Sequence, residues 1–240
     1  MRIGIELLPD PAAAARRAAA FICAHAHQAL RERGRCLLAL SGGTTPLPMF
    51  AALAREQPGW DRIDLFQVDE RAAPAGSPDR NWTHIGRELA APAGLPAGRL
   101  HPMPVEGADL ASAAAAYAAT LADLAGTPPV LDLVHLGLGP DGHTASLFPG
   151  DPTPAIEDRW VAATPAHHGH RRMTLTLPVL AAARSVLWLV CGADKAAMLA
   201  RLVAADPAIP AGRVAQARAR IIADAAAGRL LGPALHGGTG

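Results

Sequence analysis

The chain has 240 residues, half of them hydrophobic but only 4% aromatic, and 22 Lys and Arg against 21 Asp and Glu leave a formal charge of +1. That size suits one large unit or two small ones, the absence of a basic run argues against a nucleic-acid partner, and no apolar run nears the ~18 residues of a membrane span. The opening "MRIGIELLPD" lacks the apolar core of a signal peptide, and Cys23, Cys36 and Cys191 form no C-x-x-C pair, so a cytoplasmic chain with buried thiols is expected rather than a disulfide framework or zinc site.

Alanine-rich stretches with helical spacing alternate with short runs of Val, Leu and Ile, a pattern that predicts a mostly parallel sheet with helices packed on it. In chain order the spacing predicts a helix over 12–33, a strand over 36–40, a helix over 46–55 and a strand over 63–68. Helices over 81–89 and 108–124 follow, then strands over 131–136, 159–163, 173–177 and 186–191, and finally helices over 194–205 and 214–227. Pro46 suits a first helical turn, and Asp194 suits a cap. Loops rich in Pro and Gly fall at 72–78, 91–98 and 148–154, but no linker, composition break or repeat divides the chain. One α/β domain over residues 1–240 is therefore expected.

In open α/β sheets ligands bind beyond the carboxyl ends of the strands, so the residues that leave each strand carry the most information. After the first predicted strand, "SGGTTP" (41–46) sets Ser41, Gly42, Gly43 and Thr44 before Pro46. Paired glycines turn backbone N–H groups inward and hydroxyls add donors, which suits a phosphate, although an ordinary tight turn reads the same way. The lysine of a P-loop is absent. The next strand ends in Asp69, Glu70 and Arg71. Alone, these charges describe a solvated corner as well as they describe a substrate-binding edge.

"GLGPDGHTASLFPG" (137–150) begins as G-x-G-x-x-G behind an apolar run. A dinucleotide site also needs a helix opening at the third glycine and an acid about 20 residues on at the end of the next strand. Pro140 and Asp141 make a poor helix start, and Glu157 and Asp158 precede the next strand, so the context is wrong for a nucleotide. His143 instead stands as a candidate base, with Asp141 two residues before it; a glycine turn capped by Asp141 is the bland alternative. Arg172 in "RRMTLTLP" and Lys195 in the first turn of a predicted helix form a phosphate clamp with the Ser41 loop if the sheet unites them. "HHGH" (167–170) has no neighbouring Cys or carboxylate, so a solvated or lid-like loop is expected there rather than a metal site.

These residues resemble the 6-phosphogluconolactonases, relatives of the glucosamine-6-phosphate deaminases. The resemblance runs in order through 41–46, 69–71, "SPDRNW" (77–82), 137–149, 172–177 and 192–196, and its most specific piece is "DGHTASLFP". Deaminases of the superfamily are similar to that piece only as far as the histidine. The resemblance implies a Rossmann-like α/β fold, helices on both faces of the sheet, and hydrolysis of 6-phospho-D-glucono-1,5-lactone without metal or nucleotide. By the same likeness the family histidine is His143 and its motif aspartate Asp141; His143 is then the expected base, Asp141 stabilises the imidazolium or orients the ring, and Arg71 or loop N–H groups meet developing negative charge. Ser41, Gly42, Gly43, Thr44, Arg172 and Lys195 hold the phosphate, Arg71 and Asn81 lie near the sugar, and Asp69 is counted among the substrate-binding residues. The expected partner is the small sugar-phosphate lactone, bound by a monomer or homodimer.

Three rival readings remain distinguishable. A deaminase-type enzyme would release ammonia from glucosamine 6-phosphate. A sugar-phosphate sensor would carry a DNA-binding segment, for which the sequence offers no basic extension. An oxidoreductase would bind NAD(P).

Overall fold

The computed structural model describes residues 3–232. Gly4–Leu8 (β1) leads into Pro11–Arg33 (α1), where the Asp10 carboxylate accepts the Ala13 N–H at 2.7 Å and so satisfies a donor that the helix leaves free. Cys36–Leu40 (β2), Leu47–Leu53 (α2), Ile63–Gln67 (β3), Asp69–Arg71 (β4) and Asn81–Ile85 (α3) follow. Leu100–His101 (β5), Leu110–Ala125 (α4) and Leu133–Leu136 (β6) complete the first half. The second half holds Val161–His167 (β7), His170–Leu175 (β8), Leu177–Ala182 (α5), Val186–Val190 (β9), Ala196–Val203 (α6), Ala219–Asp224 (β10) and Ala225–Gly228 (α7).

Seven strands form a parallel sheet in the order β1-β10-β9-β6-β2-β3-β5. Successive side chains point to opposite faces, so β2 sends Leu38 and Leu40 one way and Ala39 the other. Ile22 of α1 and Phe50 of α2 pack with Leu38 and Leu40, whereas Leu121 of α4, Leu180 of α5 and Leu199 of α6 pack with Ala39, Val134 and Trp188. Both faces are thus covered, which is why β2 and β9 read as continuous apolar runs rather than as alternating ones. From β2 the chain moves out to β3 and β5, then returns to lay β6 on the other side of β2. This reversal is the switch point at which open α/β sheets bind ligands.

Several expectations need correction. Residues 173–177 do not add a strand to the main sheet: β8 lies antiparallel between β4 and β7 in a separate three-stranded sheet. The predicted strand over 159–163 likewise falls in that sheet, where β7 begins only at Val161 and runs on to His167. Residues 214–227 are not one helix: β10 takes 219–224, and only 225–227 are helical, in α7. Alanine favours a helix, but Ile221 and Ile222 are β-branched and fully buried between β1 and β9, and tertiary pairing overrides propensity. The helix over 81–89 is α3 followed by a π-helical turn, Gly86–Ala90. Asp194 caps nothing; its carboxylate pairs with Lys195 Nζ at 3.1 Å, and α6 begins without a side-chain cap. Cys23 and Cys36 are buried as expected, but Cys191 is only partly so. No helix among the described residues is long and apolar enough to cross a membrane.

Candidate active site

A cavity of about 200 Å³ opens at the carboxyl ends of β9, β6, β2 and β3, beneath the small sheet. Five chain segments supply its walls. The turn after β2 brings Ser41, Gly42, Gly43 and Thr44; β4 brings Asp69 and Arg71, with Asn81 beside them. The turn after β6 brings His143, β8 brings Arg172, and the segment after β9 brings Lys195. Of the residues singled out in the sequence, only Asp141 is not on the wall; it stands behind His143.

The turn after β6 is closed by its own hydrogen bonds. Gly139 N–H donates to the His143 carbonyl at 2.8 Å, Gly142 N–H to the Gly139 carbonyl at 3.1 Å, and Thr144 Oγ1 to the Gly137 carbonyl at 3.0 Å. Asp141 Oδ1 then accepts the His143 backbone N–H at 3.1 Å and meets His143 Nδ1 at 2.6 Å. Burial pushes the Asp141 carboxyl up, but the His143 backbone N–H and the neighbouring imidazole outweigh it and hold the group below its ordinary value. With that carboxylate charged, Nδ1 carries the proton and donates. Nε2, which has no protein partner among the described residues, is left with a free lone pair. Burial also lowers the His143 pKa despite the attraction of Asp141 and Asp69, so the ring is neutral at neutral pH. A neutral imidazole with a free nitrogen and a fixed tautomer is a general base.

Opposite the base lies a concentration of positive charge. Arg71 and Arg172 are direct cross-strand partners in β4 and β8, an arrangement that is repulsive on its own. Both Nε atoms are buried without a partner, and burial followed by Arg71 lowers the Arg172 pKa. Such a pair is completed by an anion. Lys195 adds a third cation, and among the described residues the backbone N–H groups of Gly42, Gly43 and Thr44 make no hydrogen bond within the protein. The fold therefore brings Arg71, Arg172, Lys195 and the Ser41 loop to one cavity.

The solvated-corner reading of 69–71 fails, because Asp69 and Glu70 are buried. Asp69 accepts from Ser146 Oγ at 2.7 Å, tying the small sheet to the His143 turn. Glu70 accepts the backbone N–H groups of Arg71, Asn81 and Trp82 and the Gln67 side-chain amide, each at 2.8 Å. It also pairs with buried Arg80 at 3.2 Å. One carboxylate thus orders both β4 and the start of α3, and with them Arg71 and Asn81. Sequence reading named Glu70 in the charged strand end without fixing its role, and gave Arg80 and Ser146 none, because their partners are distant in the chain. It also missed His135 on β6, which lines the cavity with both ring nitrogens buried and unpartnered; desolvation lowers its pKa to about 3. A polar residue inside the apolar run 131–136 was the available signal.

The "HHGH" stretch is a hairpin turn between β7 and β8 rather than a loose loop, with His167 paired to His170. Among the described residues no group of three or more His, Cys, Asp or Glu side chains is gathered to hold a metal ion.

A doubly wound sheet with a histidine–aspartate pair and clustered cations at its switch point defines an α/β enzyme for a small anionic substrate. The chain belongs to the family described as glucosamine-6-phosphate isomerases/6-phosphogluconolactonase, which matches residues 9–223. A 6-phosphogluconolactonase of Synechocystis sp. is 39% identical over 214 residues, covering 86% of this chain and 89% of that protein. The crystal structure of 6-phosphogluconolactonase from Thermotoga maritima has a TM-score of 0.82 and 30% identity, covering 92% of this chain and 98% of its own. A monomeric glucosamine-6-phosphate deaminase reaches a TM-score of 0.83 at 16% identity, covering 95% of this chain and 100% of its own, a likeness of fold alone.

Proposed function

We propose that the chain is a 6-phosphogluconolactonase: it hydrolyses 6-phospho-D-glucono-1,5-lactone to 6-phospho-D-gluconate in the oxidative branch of the pentose phosphate pathway. The observation that carries this reading is the Asp141–His143 pair facing, across one small cavity, the Arg71, Arg172 and Lys195 cations. A lactone is an activated ester, so water, a base and a site for negative charge suffice. His143 Nε2 takes a proton from water as its oxygen bonds to C1. As the C1–O5 bond breaks, the same proton passes to the ring oxygen, and the new carboxylic acid loses its own proton to solvent. Asp141 stabilises the transient imidazolium, and Arg71 meets the charge that develops on the carbonyl oxygen. Arg172, Lys195 and residues 41–44 hold the phosphate, with Asp69 and Asn81 beside the sugar. Residues 1–240 act as one cytoplasmic domain, as a monomer or homodimer.

Acid release from freshly generated 6-phosphogluconolactone, measured at controlled pH against the spontaneous rate, tests the reading. Catalysed hydrolysis is expected. A rate equal to the blank, or ammonia release from glucosamine 6-phosphate instead, would overturn it.

A further inference from the structure

His168 and Gly169 form the β7–β8 turn with φ of 49° and 82°, the two left-handed residues that a two-residue hairpin of type I′ requires. Between Thr164 and His167 the pairing register shifts, and a bulge of this kind re-aims the side chain that follows it. The His167 ring consequently lies flat on Phe148, with centroids 3.8 Å apart and planes 10° apart. Phe148 is buried and has two further neighbours. The His143 ring is 4.5 Å from it, tilted by 38°, and the Arg172 guanidinium carbon lies 5.2 Å from its centroid. His167 is tied down in turn, with Nε2 3.4 Å from Asp151 Oδ2 and its carbonyl accepting from Arg172 Nη2 at 3.5 Å.

We propose that Phe148 and His167 are positioning residues: one aromatic stack that sets the His143 ring and the Arg172 guanidinium in register with each other. The hydrogen bond from His143 to Asp141 fixes a single atom, while the ring's terminal torsion is intrinsically broad. The tilted packing of Phe148 against the ring restricts that torsion, and an error of about 1 Å in such a group costs on the order of 10²-fold in rate. Because the same phenyl ring also contacts Arg172, base and phosphate-binding cation move together. Phe148 does this from behind the cavity wall, without touching substrate.

The inference rests on the proposed lactonase reading, and the kinetics of three variants test it. Phe148→Leu keeps apolar volume but loses the plane; His167→Ala removes the outer ring from a partly exposed hairpin; His167→Phe keeps the stack but loses the Asp151 pair. The expected result is a kcat about tenfold lower together with a raised KM for the phosphorylated lactone in Phe148→Leu and, more weakly, in His167→Ala, both still cooperatively folded. His167→Phe restores both parameters towards wild type. A role in folding alone would lower the active fraction without moving KM. Wild-type kinetics in Phe148→Leu and His167→Ala, or a loss in His167→Ala that His167→Phe fails to rescue, would overturn the proposal. If the wild-type protein hydrolysed 6-phosphogluconolactone no faster than the spontaneous rate, the lactonase reading itself would fail, a separate outcome.

Discussion

A methyl group on Gly139 would overlap both His143 Nδ1 and Asp141 Oδ1, so this glycine is the floor on which the pair rests. Its place in G-x-G-x-x-G therefore follows from the catalytic turn and has nothing to do with a nucleotide. Gly42 has the same relation to Asn81, whose Oδ1 occupies the space a side chain at position 42 would need. Gly139→Ala is expected to displace the pair and cut kcat on the order of 10²-fold, with a small change in KM, because the phosphate-binding cations lie on other elements. Steady-state kinetics on the folded variant check this. Unchanged kcat would mean that the geometry of the pair is not limiting.

The short strands β4 and β8 set Arg71 against Arg172, a pairing of like charges that favours an anion beside it. In the proposed reading that anion is the substrate phosphate. Arg172→Ala and Lys195→Ala are each expected to raise KM for the phosphorylated lactone about tenfold or more while leaving the weak hydrolysis of unphosphorylated gluconolactone nearly unchanged. Equal KM rises for both substrates would refute the phosphate assignment. At this scale the sequence was legible where local chemistry sufficed: β2, α1 and the residues that follow β2, β6 and β9 carry their own patterns. It was not legible where pairing alone decides. A three-residue strand such as β4 has no periodicity to read, and β10 is alanine-bearing chain made into a strand by its neighbours β1 and β9. The carboxylate of Glu70, which orders Arg71 and Asn81 together, is likewise visible only once the chain has folded.

Across the whole molecule, the arrangement carries a cost in acid. His135 is 1% exposed and its folded pKa is about 3, against about 6.5 for an unfolded histidine. The unfolded chain therefore binds a proton that the native state refuses, so this contribution to stability is complete above pH 6.5 and declines as pH falls towards 3. At pH 5 the loss from this group is about 2 kcal/mol, and His135→Leu is expected to reduce the fall in Tm between pH 7.5 and pH 5 by roughly 5 °C. Thermal unfolding of both proteins at the two pH values measures it, and parallel falls would contradict it. The same fold places the neutral His143 against the cation cluster, and that juxtaposition is the centre of the functional account. Its most direct test is kcat for freshly generated 6-phosphogluconolactone in wild type and His143→Ala, each corrected for spontaneous hydrolysis. The account predicts a fall of ~10²- to 10⁴-fold in kcat with the fold and phosphate binding retained; turnover near that of wild type would contradict it.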